Sequence, residues 1–163
     1  INVKVYVKGM NYCKGMQRSY ITGLAKSVNL VTRKPSEDDA VYGFNLVNRE
    51  FRSSDYTEAV LTQSLNCFGF NEAKFGAGDK FELIINFVLV DNSVHTVTAD
   101  VTEQFEQWYE EHKVDIDLDL DLDLDIDVDI EVELPPTVED PEETGGFAPE
   151  TVPWNDIVQD IIL

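Results

Sequence analysis

The sequence predicts an all-β protein, an antiparallel β-sandwich of about seven strands with one short helix and an extended C-terminal strand. Three stretches carry this prediction. Ile1–Lys8 alternates apolar and polar residues, as a strand with one buried face does. Phe81–Val90 is almost wholly apolar and is followed by the turn Asp91-Asn92 and a partner strand, Val94–Ala99. Val114–Leu134 alternates over 21 residues, with an aliphatic residue at every even position and an acid between each pair.

The alternating segment, residues 114–134, is predicted to be one extended strand because a period of two places its eleven aliphatic side chains on one face. Neighbouring acids on the other face repel by about 0.6 kcal/mol each, whereas burying the aliphatic face is worth up to about 20 kcal/mol. A strand of this length spans about 70 Å. Since one small domain cannot cover that length, we expect the strand to bend between sheets or to project and pair elsewhere.

The remaining elements follow from turn residues and periodicity. Residues 10–17 are predicted to be a loop, residues 48–57 to be rich in turns, and Gly23 to mark a bulge. A short helix is expected over residues 102–112, capped near Asp100, because its apolar residues have helical spacing. Those residues are Phe105, Trp108, Tyr109 and His112. The other predicted strands are Tyr20–Thr22, Val28–Thr32, Val41–Val47 and Val60–Phe70.

The charge is distributed unevenly along the 163 residues, whose net charge is −20. From Val114 onward there are 17 acids and no Lys or Arg, which leaves 32 − 17 = 15 acids against 12 bases in residues 1–113. A nearly balanced body therefore carries an acidic tail. Nucleic acid is not an expected partner because phosphate binding needs a basic surface. Cations or basic surfaces fit this charge better.

Three regions are predicted: a sandwich over residues 1–134, a Pro/Gly/acidic linker over 135–149, and a C-terminal strand over 150–163. Pro135-Pro136 ends the alternating strand because proline donates no ladder hydrogen bond. The terminal strand either completes its own sandwich or docks on a neighbouring molecule. Its candidate assembly residues are Val152, Trp154, Ile157, Val158, Ile161 and Leu163.

The sequence suggests no enzyme, no cofactor and no metal site. His95 and His112 lie in different predicted elements, and Cys13 and Cys67 lack the spacing of metal ligands, although a disulfide between them is possible. Acids on a flat strand lie about 7 Å apart, whereas calcium ligands converge at about 2.4 Å. The acids are therefore interpreted as a solvated face that prevents edge-to-edge aggregation. The aromatic residues of the strands are expected to belong first of all to the core, and a sugar-binding platform built from a few of them is the alternative. These residues are Tyr6, Tyr42, Phe44, Phe81 and Phe87.

Several segments in a fixed order carry a resemblance: VKVYVKGM, RSYITGLAKSVNL, KPSEDDAV, NCFGF, TADVTEQFEQ and GGFAPETVPWNDIVQDIIL. The chain resembles the fimbrillin-like, type V pilus-related surface proteins of Bacteroidetes, in particular the C-terminal domain of a family of unknown function. The resemblance implies a transthyretin-like β-sandwich, export through a lipoprotein signal, and a place at the outer membrane and cell surface. The N-terminal sandwich and lipobox cysteine of such proteins are absent from this sequence, and its acidic strand is longer.

The first functional hypothesis is a non-catalytic cell-surface protein for structure and adhesion: a pilus subunit, tip or anchor of the fimbrium. The resemblance implies that such subunits join by strand addition. The alternative is a surface module that recognises glycans or cations through an aromatic patch or the acidic strand. Expected partners are other pilus subunits and host or surface glycans or proteins, with membrane contact only through a lipid anchor that this chain lacks.

Overall fold

The structure, a computed structural model, describes residues 1–118 and 126–138. In these residues nine strands form two sheets, together with one α-helix, which confirms the predicted all-β sandwich. The elements are β1 (Asn2–Lys8), β2 (Cys13–Met16), β3 (Ser19–Ala25), β4 (Asp39–Phe44), β5 (Asn48–Phe51), β6 (Glu58–Ser64), β7 (Glu82–Leu89), β8 (Val94–Asp100), α1 (Thr102–Leu118) and β9 (Asp127–Glu133).

The first sheet has the order β5-β6-β1-β9. In the second sheet β7 is central: β8 pairs with one edge, β2 and β3 pair with different parts of β7, and β4 lies beside β3. The alternating residues of β1 and β7 fill the core between the sheets. Ile1, Val3, Val5 and Val7 form the buried face of β1 as predicted. On β7 only every second residue is buried, although its apolar run suggested burial on both faces.

The alternating segment 114–134 is not one strand, which corrects the prediction. Residues 114–118 belong to α1, and only β9 is extended; residues 119–125 lie outside the described residues. Within β9 the period of two holds, since Val128, Ile130 and Val132 are buried and the acids between them are exposed. The reason is the length of the partner strand: β9 pairs with the seven residues of β1 one to one, from Asn2 with Asp127 to Lys8 with Glu133.

The β1–β9 pair is parallel, whereas the sequence suggested antiparallel order throughout. The parallel direction is open to this pair because β1 and β9 are not consecutive strands, so no hairpin turn joins them. Helix α1 leads from β8 of the second sheet to β9 of the first. Extending an existing helix into residues 114–118 costs less than nucleating a new element. The helix predicted over 102–112 is therefore confirmed and is longer than predicted.

Three local predictions were wrong and one is confirmed. Residues 10–17 contain a 3-10 turn and strand β2, and residues 48–51 form strand β5. Residues 28–32 form the tip of the β3–β4 connection, because the Asn29 side chain accepts hydrogen bonds from the N–H groups of Val31 and Thr32 and so stabilises a turn. Gly23 has a φ of 84°, and the register of β3 against β4 shifts beside it, as the predicted bulge requires.

An aromatic cluster anchors α1 to the sandwich. Phe105 is fully buried, and its ring centroid lies 4.9 Å from that of Phe70 and 5.2 Å from that of Phe81. Trp108 and Tyr109 pack against the same core, as the helical spacing predicted. Asp100 Oδ1 accepts hydrogen bonds from the N–H and hydroxyl of Thr102, which confirms the expected cap. None of the described helices is long and apolar enough to cross a membrane.

Candidate functional site

The side chains best suited to catalysis do not converge. His95 lies in β8 and His112 in α1, where its ring stacks on Trp108 at 4.3 Å. Cys13 and Cys67 are both free, so the possible disulfide is not formed. Burial raises the pKa of the Cys13 thiol, although the nearby charge of Arg49 opposes this shift. The raised pKa keeps the thiol protonated and weakly nucleophilic. No group of three potential metal-ligating side chains occurs within residues 1–118 and 126–138.

The acidic face of β9 lies beside the polar face of β1. Asn2 Nδ2 donates a hydrogen bond to Asp127 Oδ1 at 3.2 Å, and Lys4 Nζ lies 3.9 Å from Asp129 Oδ1. The one-to-one register also places Lys8 opposite Glu133. Since directly opposed charges of opposite sign stabilise neighbouring strands, β1 offsets part of the repulsion within β9. This arrangement agrees with the interpretation of a solvated acidic face.

A side chain of α1 occupies the outer edge of β9. The backbone of Ile126 and Leu134 bonds to β1, so the peptide groups of Asp127, Asp129, Glu131 and Glu133 face away from it. Gln104 Nε2 donates to the Asp129 carbonyl, and the Asp129 N–H donates to Gln104 Oε1, both at 3.1 Å. The carboxamide thus takes the place that a neighbouring strand would take. Sequence reasoning missed this contact because nothing in the segment around Gln104 indicates its tertiary partner.

An open groove of about 390 Å³ lies at one end of the first sheet. Tyr6 is exposed there, and it lies opposite Val60 on one side and Glu131 on the other. Charges of both signs surround the ring. The charged residues of the groove are Lys8, Arg52, Glu58, Glu131 and Glu133. Such a mixture offers hydrogen-bond donors and acceptors around one aromatic surface.

The aromatic residues proposed as a sugar platform are mostly core. Phe81 and Phe87 are fully buried, Phe44 is nearly so, and the Tyr42 hydroxyl donates to the carbonyl of Ala25 at 2.6 Å. Only Tyr6 of the five is exposed. These rings therefore do not form one platform.

Sequence reasoning missed a different aromatic pair. Phe51 and Tyr56 are 41% and 61% exposed, and their rings meet edge to face at 4.9 Å. The guanidinium of Arg49 lies 5.9 Å from the centre of the Phe51 ring. The two aromatic residues stand in a polar, turn-rich stretch, and that composition was the signal that could have marked them as exposed.

The six candidate assembly residues of the C-terminal strand lie outside the described residues, as do all residues from 139 onward. They are Val152, Trp154, Ile157, Val158, Ile161 and Leu163. Their role stays a prediction.

Comparison with known proteins gives one structural likeness. No family model matches the chain, and no curated protein matches it. Among solved structures, it is similar to a protein from Bacteroides ovatus called a "putative adhesin". The sequences are 16% identical, the TM-score is 0.39, and the match covers 84% of this chain and 48% of the other. This chain thus spans about half the length of that structure, and a likeness of this size carries no argument about function.

Proposed function

We propose that this protein is a non-catalytic cell-surface protein for structure and adhesion, of the fimbrillin-like kind, which joins neighbouring subunits by strand addition. Its C-terminal residues 150–163 serve as the added strand. Such a protein is exported and held at the outer surface. The partners are other subunits of a pilus and the surface to which it adheres.

The observation that supports this proposal best is strand β9. It is an alternating segment whose buried face and backbone both complete the first sheet, in register with β1 over its whole length. An extended apolar segment added to a sheet edge gains backbone hydrogen bonds and apolar burial together. The fold therefore already uses, within one chain, the chemistry that strand addition between chains requires.

The test changes the candidate strand in the full chain. Ile157→Asp and Ile161→Asp place charges on residues proposed to be buried in a neighbour, and they should abolish species larger than a dimer in light scattering. Asp156→Asn and Asp160→Asn change the charge of the same segment by the same amount on the opposite face of the strand and should leave those species intact. Equal behaviour of the two pairs of variants would exclude this segment as the added strand.

The groove at the end of the first sheet favours a second function, recognition of a glycan. An exposed tyrosine ring can stack on the apolar face of a sugar, while the neighbouring carboxylates and cations bond its hydroxyls. Tyr6→Ala and Glu131→Gln should then abolish saturable binding on a glycan array, whereas Glu37→Gln, an exposed change outside the groove, should not. Saturable calcium binding lost in Glu131→Gln alone would instead point to a cation as the ligand.

A further inference from the structure

Strand β8 has an outer edge that is open within the described part of the chain. Leu89 N–H donates to the Ser93 carbonyl and Val101 N–H to the Phe81 carbonyl, both at 2.9 Å. With the register of β7 against β8, these bonds show that the backbone groups of the odd-numbered β8 residues bond to β7. In an antiparallel pair the intervening residues point their peptide groups the other way. Between residues 1–118 and 126–138, β8 pairs with β7 alone. The peptide groups left facing outward are those of Val94, Thr96, Thr98 and Asp100.

The other sheet edges carry features that hinder pairing. Strand β2 is only four residues long and contains Lys14, and its register against β7 shifts between Cys13 and Gly15. Gln104 and four acids occupy the edge of β9. Strand β5 is only four residues long and contains Arg49 and Glu50. On β4 the guanidinium of Arg18 lies against Gly43, donating to its carbonyl at 3.3 Å. Charged residues, short length and covered backbone are the usual means by which proteins prevent edge association.

By contrast, the only charged residue of β8 is Asp100 at its end. From Val94 to Ala99 it contains no charged residue, no proline and no glycine, and β-branched residues predominate. Thr96 and Thr98 are exposed, and Val94 is 48% exposed. An exposed strand of this composition is suited to pair with another strand.

We propose that β8 pairs antiparallel with β8 of a second copy of this chain, about a twofold axis at Val97. The second sheets of the two molecules then form one continuous sheet. Residues 150–163 are not part of this interface, and a strand that they donated to the β8 edge would compete with it. A variant whose strand donation is blocked should therefore still form the β8 dimer.

The register of this pair is self-complementary. With Val97 on the axis, Thr96 lies opposite Thr98 of the partner subunit, and the outward peptide groups of both residues exchange hydrogen bonds. Facing threonines are a favourable cross-strand pair. Asp100 would lie opposite Val94 of the partner subunit, so no like charges face each other. The Asp100 carboxylate is already paired within its own chain, 2.9 Å from Lys80 Nζ.

A second copy fits this edge better than a strongly charged partner because residues Val94–Ala99 are uncharged and mostly β-branched, and β8 of the copy has the same length. The remaining acids lie mainly elsewhere and contribute to the net charge of −20 on each copy. That charge opposes association at long range and is screened by salt. The dimer should therefore become tighter as the ionic strength rises.

Cysteine cross-linking tests the register. At a twofold axis the two Val97 Cα atoms lie about 4.5 Å apart, within the range that a disulfide spans. Val97→Cys should give a disulfide-linked dimer under mild oxidation. Thr98→Cys is the matched control: it is the more exposed position, but its copies lie about 7–8 Å apart on the diagonal. Equal cross-linking of both variants would overturn the proposal, since random collision would explain it.

A proline substitution tests the edge itself. The N–H of Thr98 faces away from β7, so Thr98→Pro removes no hydrogen bond within the sandwich but blocks the partner strand. Sedimentation is measured in the full chain carrying Ile157→Asp, which removes the proposed strand donation. It should show a dimer without a further change and with Thr98→Val, and a monomer with Thr98→Pro, with the circular dichroism of all three alike. A monomer without a further change at every accessible concentration, even in about 1 M salt, or a dimer that tolerates Thr98→Pro, would contradict the proposal.

Discussion

The carboxamide of Gln104 forms two hydrogen bonds with the backbone of Asp129, donating to its carbonyl and accepting from its N–H, both at 3.1 Å. One residue of α1 thereby satisfies an edge peptide of the last described strand. The contact ties α1 to the strand that follows it. It also blocks that edge at its centre, where an unrelated strand could otherwise pair.

Replacing Gln104 should loosen β9. Gln104→Ala removes both hydrogen bonds and is expected to lower the free energy of unfolding by about 1–2 kcal/mol. Amide hydrogen exchange at Asp129 should become faster. Gln107→Ala is the control, because Gln107 lies on the same helix and, among residues 1–118 and 126–138, bonds only to the side chain of Glu111. If both variants lose the same stability in urea unfolding, the Gln104 contact does not stabilise β9.

The sequence predicted the elements whose pattern matches their surroundings. β1 and β9 alternate because each has one face on the core, and period two was sufficient to identify both. The same pattern failed over residues 114–118 because β1 is only seven residues long and no further strand partner is described there. Strand β5 was missed since all four of its residues are exposed and carry no apolar alternation.

The candidate surfaces were less predictable than the fold. The Gln104 contact joins residues 25 positions apart, and the groove forms only when β1, β6 and β9 are adjacent. Neither depends on a local pattern. The composition of residues 114–134 did predict an acidic exposed face, because charge and period are local properties of the segment.

Gly9 should resist substitution because the backbone of Leu134 lies against it. Its φ is 77°, and a Cβ atom would lie 2.8 Å from the Leu134 carbonyl oxygen. Gly9→Ala should therefore lower the free energy of unfolding by about 1–3 kcal/mol. Gly78→Ala separates the two causes, since Gly78 also has a positive φ, 81°, but open space around it.

In thermal unfolding, Gly78→Ala should show a smaller loss of stability than Gly9→Ala. Equal losses would mean that the close approach of Leu134 adds nothing to the backbone strain at Gly9.

Asp100 should make stability depend on pH in the acid range. Hydrogen bonds from Thr102 and Lys80 lower the pKa of its carboxyl from 3.8 to about 2. Because the folded state favours the carboxylate, Asp100 contributes fully to the free energy of unfolding above the ordinary pKa of its carboxyl. This contribution is lost as the pH falls through the pKa of the carboxyl in the folded state. The difference in unfolding free energy between wild type and Asp100→Asn should thus shrink from about pH 4 to about pH 2.

Urea midpoints measured across this range check the expectation. Asp38→Asn is the control for general charge effects, because it removes one carboxylate elsewhere on the surface. A wild-type to Asp100→Asn difference that stays constant with pH would show that the Asp100 carboxylate is not stabilised by folding.

The most direct test of the proposed function compares the full chain with a chain that ends at Pro149, by light scattering over a range of concentrations. Strand addition through residues 150–163 predicts that the full chain forms species larger than a dimer as its concentration rises and that the shortened chain does not. Large species that persist in the shortened chain, or a full chain that never exceeds a dimer, would contradict assembly through this strand.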